Sequence, residues 1–215
     1  MLERAGQVGE QNDMGASHRI VDARLQLEEG RAESAEPLTR SAIQQFHEHH
    51  SFPDEMSGRI VLARCLLAQS KIAESQIELN QVEAFLKKSP IQLIRLDYLI
   101  TAARTKAASG AAANIADARR TLQKALNESQ AQGFAGENLE ARLVEAEIAN
   151  DAGNPEAPSH LVSLEADATK NGFGLIAQKA MRLALNAKQC VLPACLRKLG
   201  FPPVQDAANG RTTDF

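Results

Sequence analysis

Arg24, Arg64 and Arg104 stand 40 residues apart along the chain. A guanidinium presents a planar fork of donors that matches a carboxylate, so three of them in one column could line a groove for an acidic segment or a chain terminus. That reading makes Arg24, Arg64 and Arg104 the candidate ligand-groove residues. The opposing reading is structural: the arginine stems cover apolar seams while their heads meet nearby acids, Glu28 one turn after Arg24 being such an acid.

Other reactive residue types gather with less geometric promise. His47, His49 and His50 lie beside Glu48 and Asp54. His47 and His50 share a helix face, which permits two metal ligands, but a complete site needs a third or fourth from elsewhere. Cys190 and Cys195 straddle Pro193, unlike the two-residue gap of a zinc knuckle, and no histidine lies beyond His160. Gly172-Phe173-Gly174 follows no strand and so makes no dinucleotide loop. Neither a nucleophile motif nor a paired-acid motif stands out. These residues predict no catalytic group, no metal and no cofactor.

What would position the arginines is a repeat. Ile20-Ala23-Leu27-Gly30, Ile60-Ala63-Leu67-Ser70, Ile100-Ala103-Ala107-Gly110 and Leu143-Ala146-Asn150-Gly153 follow one pattern, with steps of 40, 40 and 43 residues from alanine to alanine. On a 3.6-residue helix the first four fall within about 80° of one another. Val21 and Leu25 lie roughly 140° around. That second stripe recurs as Val61 and Cys65, Thr101 and Thr105, Val144 and Ile148. Two stripes on opposite sides describe a helix with neighbours on both sides. The alanines would mark the closest approach of axes, and the arginines project about 100° from them.

A second set of helices alternates with the first. Leu38, Ala42 and Phe46 form one apolar face, and Ile115, Ala118, Leu122 and Leu126 repeat it 80 residues after Ala35, Leu38, Ala42 and Phe46. Ser17 is expected to cap the first helix, Pro37 to fall in the first turn of the second, and Ser89-Pro90 to start the fifth. The fourth pair spans about 137–170 and a last helix about 173–188. No segment alternates as a strand does. The class is all-α: a right-handed α-solenoid of about four antiparallel helix pairs plus a C-terminal closing helix. Residues 1–15 read as a flexible tail, 16–188 as the repeat domain, and 189–215 as a tail able to form a lid over the last helix.

The small residue, turn glycine and following small or aliphatic residue (Ala23, Gly30, Ala35; Ala103, Gly110, Ile115) resemble the tetratricopeptide (TPR) pattern. The period is longer than 34, and the aromatics expected on each first helix are missing. The chain is more similar to the looser TPR-like repeats of bacterial signalling and regulatory proteins. That resemblance implies a non-catalytic scaffold binding a protein or peptide, a detached module of a signalling or regulatory system. An all-α enzyme or small-ligand sensor, with acids such as Glu140, Glu145 and Glu147 in the superhelix hollow, is the alternative.

Bulk properties narrow the partner. A net charge of −3 and the absence of a basic run speak against nucleic acid. No window is apolar enough for a membrane span, and no signal-peptide stretch opens the chain. Three cysteines without a secretory context read as reduced thiols in a cytoplasm. The first helix keeps both stripes and shows no polar outer face, so its N-terminal face is expected to pack on a second copy, a partner or another domain.

Overall fold

Helix formers dominate each segment, with glycine or serine at the turns. The computed structural model describes the backbone of residues 2–198 and the side chains of residues 15–186. Among the described residues it is entirely helical: α1 (Leu2–Glu28), α2 (Ala32–Glu48), α3 (Phe52–Ala68), α4 (Ile72–Leu86), α5 (Gln92–Ala107), α6 (Ala112–Gln132), α7 (Ala135–Asp151), α8 (Ala157–Lys170) and α9 (Gly174–Lys198).

The repeat's four turn residues share one conformation. Gly30, Ser70, Gly110 and Gly153 all have positive φ, at 77°, 63°, 71° and 69°. The left-handed residue closes the preceding helix: the amide after it reaches back to a carbonyl of the last turn, as in Arg31 to Gln26 (2.8 Å) and Lys71 to Leu66 (2.9 Å). Ser70 alone among the four carries a Cβ into this region, where side chains are disfavoured.

The chain divides into two compact units, residues 1–148 and 149–215, the division falling within α7. In the first, α3 packs against α1, α2, α4 and α5, and α5 against α3, α4 and α6. Ala23, Ala63 and Ala103 are each fully buried, and Ala146 is nearly so. Ala141, Val144 and Ile148 of α7 join Leu99, Ile100 and Ala103 of α5 and Ala118, Leu122 and Ala125 of α6 in one cluster. At Gly58 the lack of a side chain lets α3 lie close against Ile43 of α2 and Ile20 of α1. A Cβ there would stand 2.9 Å from Ile43 Cγ1 and 3.4 Å from Ile20 Cδ1. In the second unit α8 packs on α9, with Leu161, Leu164, Ala168 and Ala180 buried.

Several local expectations change. α1 has helical backbone from Leu2 instead of starting at Ser17, because Leu2, Glu3, Arg4, Ala5 and Gln7 favour a helix and no proline interrupts them. The side chains of residues 1–14 lie outside the described ones. Pro37 lies inside α2 rather than in its first turn. The amide it lacks would have bonded to the carbonyl of Glu33, and both residues are exposed, so water can meet that carbonyl. Ser89 and Pro90 precede α5 without capping it; extended Ile91 stands at its N-cap. α9 carries helical backbone through Pro193 to Lys198 instead of ending near 188. The expected lid over 189–215, with Cys190 and Cys195, falls outside the described side chains.

Candidate functional site

The arginine column is built into the joints between successive pairs. Arg64 on α3 reaches α5, donating from Nε to Thr101 Oγ1 (3.0 Å) and from Nη2 to Asp97 Oδ1 (3.2 Å). Arg104 on α5 reaches α7, bonding through Nε and Nη2 to Glu147 (3.1 and 3.2 Å) and through Nη1 to Glu140 (2.9 Å). Burial works against the Arg104 charge, but Glu147 and Glu140 outweigh it and raise its pKa above the ordinary arginine value. Both arginine side chains are about one-fifth exposed, at 22% and 21%.

A positional rule explains the acceptors. Asp97 lies six residues before Ala103, and Glu140 six before Ala146. The corresponding residue before Ala63 is Ser57, which cannot supply a charge and donates its hydroxyl to Pro53 O (3.1 Å). Arg24 is accordingly exposed, with no hydrogen bond or salt bridge among the described residues. The outer pair is tied to its neighbour by Glu36 of α2, which accepts from Gln69 (2.8 Å) and Lys71 (3.2 Å) as well as from Arg40. The Gln69 hydrogen bond leads these donors in holding the Glu36 carboxyl down at about 2, against a desolvation cost.

The histidine cluster resolves into a different pairing from the one its sequence order offers. His47 Nδ1 meets Glu55 Oε2 at 2.9 Å. Glu55 is buried and also accepts from Arg59 Nε and Nη2, while Arg59 Nη1 bonds Glu78 at 2.7 Å. Glu48 accepts from Gln44, and Asp54 from Ser51. Among the described residues no three His, Cys, Asp or Glu side chains converge to hold a metal. Cys65 is buried, and that burial pushes its thiol pKa up, away from nucleophilic reactivity. Of the three acids considered for a hollow site, Glu140 and Glu147 meet Arg104 and Glu145 is exposed.

Sequence reasoning missed a cleft. α4 and α6 do not pack on each other, and α5 floors the gap between them. The cavity has a volume of about 310 Å³. Its floor carries Tyr98, Leu99 and Ala102, with Arg95 and Lys106 one beyond each end; Leu86 comes from α4 and Lys87 caps its C-terminus, while Thr121 and Lys124 come from α6. Four cations therefore line the gap, against the one lining carboxylate of Glu83. Lys87 pairs with Glu83 (3.0 Å), Arg95 with neighbouring Glu128 (2.8 Å), and Lys106 Nζ donates to Thr121 Oγ1 (3.3 Å). Burial and the Glu83 carboxylate push the Tyr98 hydroxyl up to about 12, so it stays protonated and can donate to Glu83. Arg95, Leu99, Ala102 and Lys106 are spaced as one helical stripe, a signal present in the sequence but not distinguishable from ordinary amphipathicity without α4 and α6 beside it.

No family model, no curated protein and no solved structure matches this chain.

Proposed function

We propose that the chain is a non-catalytic interaction scaffold of TPR-like repeats that binds a protein or peptide. The observation that carries this reading is the gap between α4 and α6, which sets a cationic rim over a floor of Tyr98, Leu99 and Ala102. A shape open along a helix accepts a segment of another chain, and cations at its rim select for acidity. The exposed stripe of Val21 (62%) and Leu25 (59%) supports a second contact surface on α1, for another copy or a partner.

The test is affinity capture on the immobilised full chain, followed by calorimetry of each captured protein in purified form. Saturable binding at a fixed stoichiometry supports the scaffold. Failure of every purified candidate to bind, alongside turnover of a small molecule, overturns it. Light scattering at micromolar concentration separates a second copy from a foreign partner on the α1 face: self-association that Leu25→Asp abolishes assigns the face to another copy.

The alternative, an all-α enzyme or small-ligand sensor, draws on the same cavity, whose 310 Å³ lies near the lower end of the range for small-molecule sites. Equilibrium dialysis against pooled anionic metabolites distinguishes it, because a sensor retains one of them without any protein partner.

A further inference from the structure

We infer that the gap between α4 and α6 binds an extended acidic peptide segment about five residues long, with carboxylates on the cationic rim and one apolar side chain on the α5 floor. This inference rests on the scaffold reading and names the partner's chemistry.

The length follows from α5. Arg95 and Lys106 are eleven residues apart on the same helix. At 1.5 Å per residue that separation is about 16 Å, and the two side chains lie within about 20° of one another around the axis. An extended chain covers the distance in about five residues. One phosphate or one carboxylate reaches only one end of such a row. A ligand serving both ends must carry anionic groups spaced along its length.

The charge pattern favours a peptide over a dense polyanion. Glu83 lines the same gap, and Glu128 stands against Arg95. Nucleic acid, with a charge about every 1.7 Å of duplex, would be pressed against both carboxylates. Isolated peptide carboxylates can instead settle near Lys106 and Lys124 at one end and near Arg95 at the other, where Nε and Nη2 hold Glu128 and Nη1 remains to donate. Glu83, placed beside the Tyr98 hydroxyl, and Thr121 are acceptors for the backbone N–H groups that an extended peptide must satisfy. Between the cations Leu99 and Ala102 of the α5 floor, beside Tyr98, and Leu86 of α4 are buried yet border the cavity. A leucine-sized side chain can cover them, which adds specificity that charge alone lacks.

The experiment is fluorescence anisotropy on the full chain with a labelled Glu-Asp-Leu-Asp-Glu peptide. Expected are saturable binding that weakens with added salt, and about tenfold weaker binding for each of Lys106→Glu and Lys124→Glu. Replacing the peptide's leucine by serine should cost roughly fivefold. Arg31→Glu, an exposed reversal outside the gap, should leave affinity unchanged. Circular dichroism melting must show both lysine variants folded; Lys124 is exposed, so its reversal keeps the test valid even where Lys106→Glu destabilises.

Three results overturn the inference. One is peptide affinity untouched by both lysine reversals. Another is equal competition by tripolyphosphate and by the leucine-free peptide, which assigns the gap to a small polyanion. The third is loss of binding on Arg24→Glu alone, which moves the site to the arginine column. If a purified protein still binds the chain in any of these cases, the scaffold reading survives and only the gap assignment fails.

Discussion

The first helix of the outer pair and the first helices of the inner pairs carry the same two stripes and the same arginine, yet they meet different surroundings. On α1, Val21 and Leu25 are 62% and 59% exposed; at the matching places on α3, Val61 and Cys65 are 1% and 0% exposed. On α5 the positions are Thr101 and Thr105, also buried, and their hydroxyls are satisfied. Thr105 donates to the Thr101 carbonyl and Ser75 lies 3.1 Å from Thr105 Oγ1. The arginine follows suit: exposed at position 24, bonded into the next pair at 64 and 104. The same repeat pattern therefore acts as a solvated face or as a joint, depending on whether another helix covers the stripe and an acid stands six residues before the next alanine.

The largest effect expected from this contrast is at the second stripe. Val61→Asp places an unpaired carboxylate in a closed site and should cost roughly 3–5 kcal/mol. Val21→Asp should cost less than about 0.5 kcal/mol. Urea titration of both variants checks the pair, and equal losses would mean that α1 is covered in solution. Next in size is the joint. Arg104→Ala removes the donor that Glu140 and Glu147 share and should cost about 2–3 kcal/mol, reduced from a fully buried pair because the side chain is 21% exposed. Arg24→Ala should fall within about 0.5 kcal/mol. Comparable denaturation midpoints for the two alanine variants would remove the distinction between outer and inner arginines.

The tie between the outer pair and its neighbour should be visible in acid. The Glu36 carboxyl is lowered from 4.5 to about 2, so its contribution is complete above pH about 4.5 and is lost as pH falls toward about 2. Glu36→Gln should remove about 1–2 kcal/mol of stability near neutrality, after allowance for solvent screening, and flatten the acid limb of the stability curve. A pH-resolved melting series decides it, and an unchanged acid limb would leave Glu36 no part in the joint. A smaller change should come at the second turn: Ser70→Gly relieves a side chain at φ 63° and should stabilise by about 1 kcal/mol. Loss of stability in a thermal melt would contradict that. Smallest of all, Ser57→Asp supplies the acid that the inner pairs place six residues before the alanine. A double-mutant cycle with Arg24→Ala should then show coupling of about 0.5 kcal/mol, and zero coupling would break the positional rule.

By itself the sequence determined the all-helical class, the helix alternation, the buried alanine positions and the places of the four turns. These depend on local preference and on spacing along one helix, which residues a few positions apart settle among themselves. Only the tertiary structure decided which acid each arginine meets. Asp97 and Glu140 lie 33 and 36 residues away from Arg64 and Arg104, too far for spacing along one helix to select them. The same holds for His47, which takes Glu55 across a turn instead of its sequence neighbour Glu48. The cleft is the strongest case. Arg95, Lys106 and Lys124 come from α5 and α6 and Lys87 from the C-cap of α4, and their convergence depends on α4 and α6 standing apart over α5. Helix spacing is set by summed side-chain volume across the interfaces, a property of the packed molecule that no single segment carries.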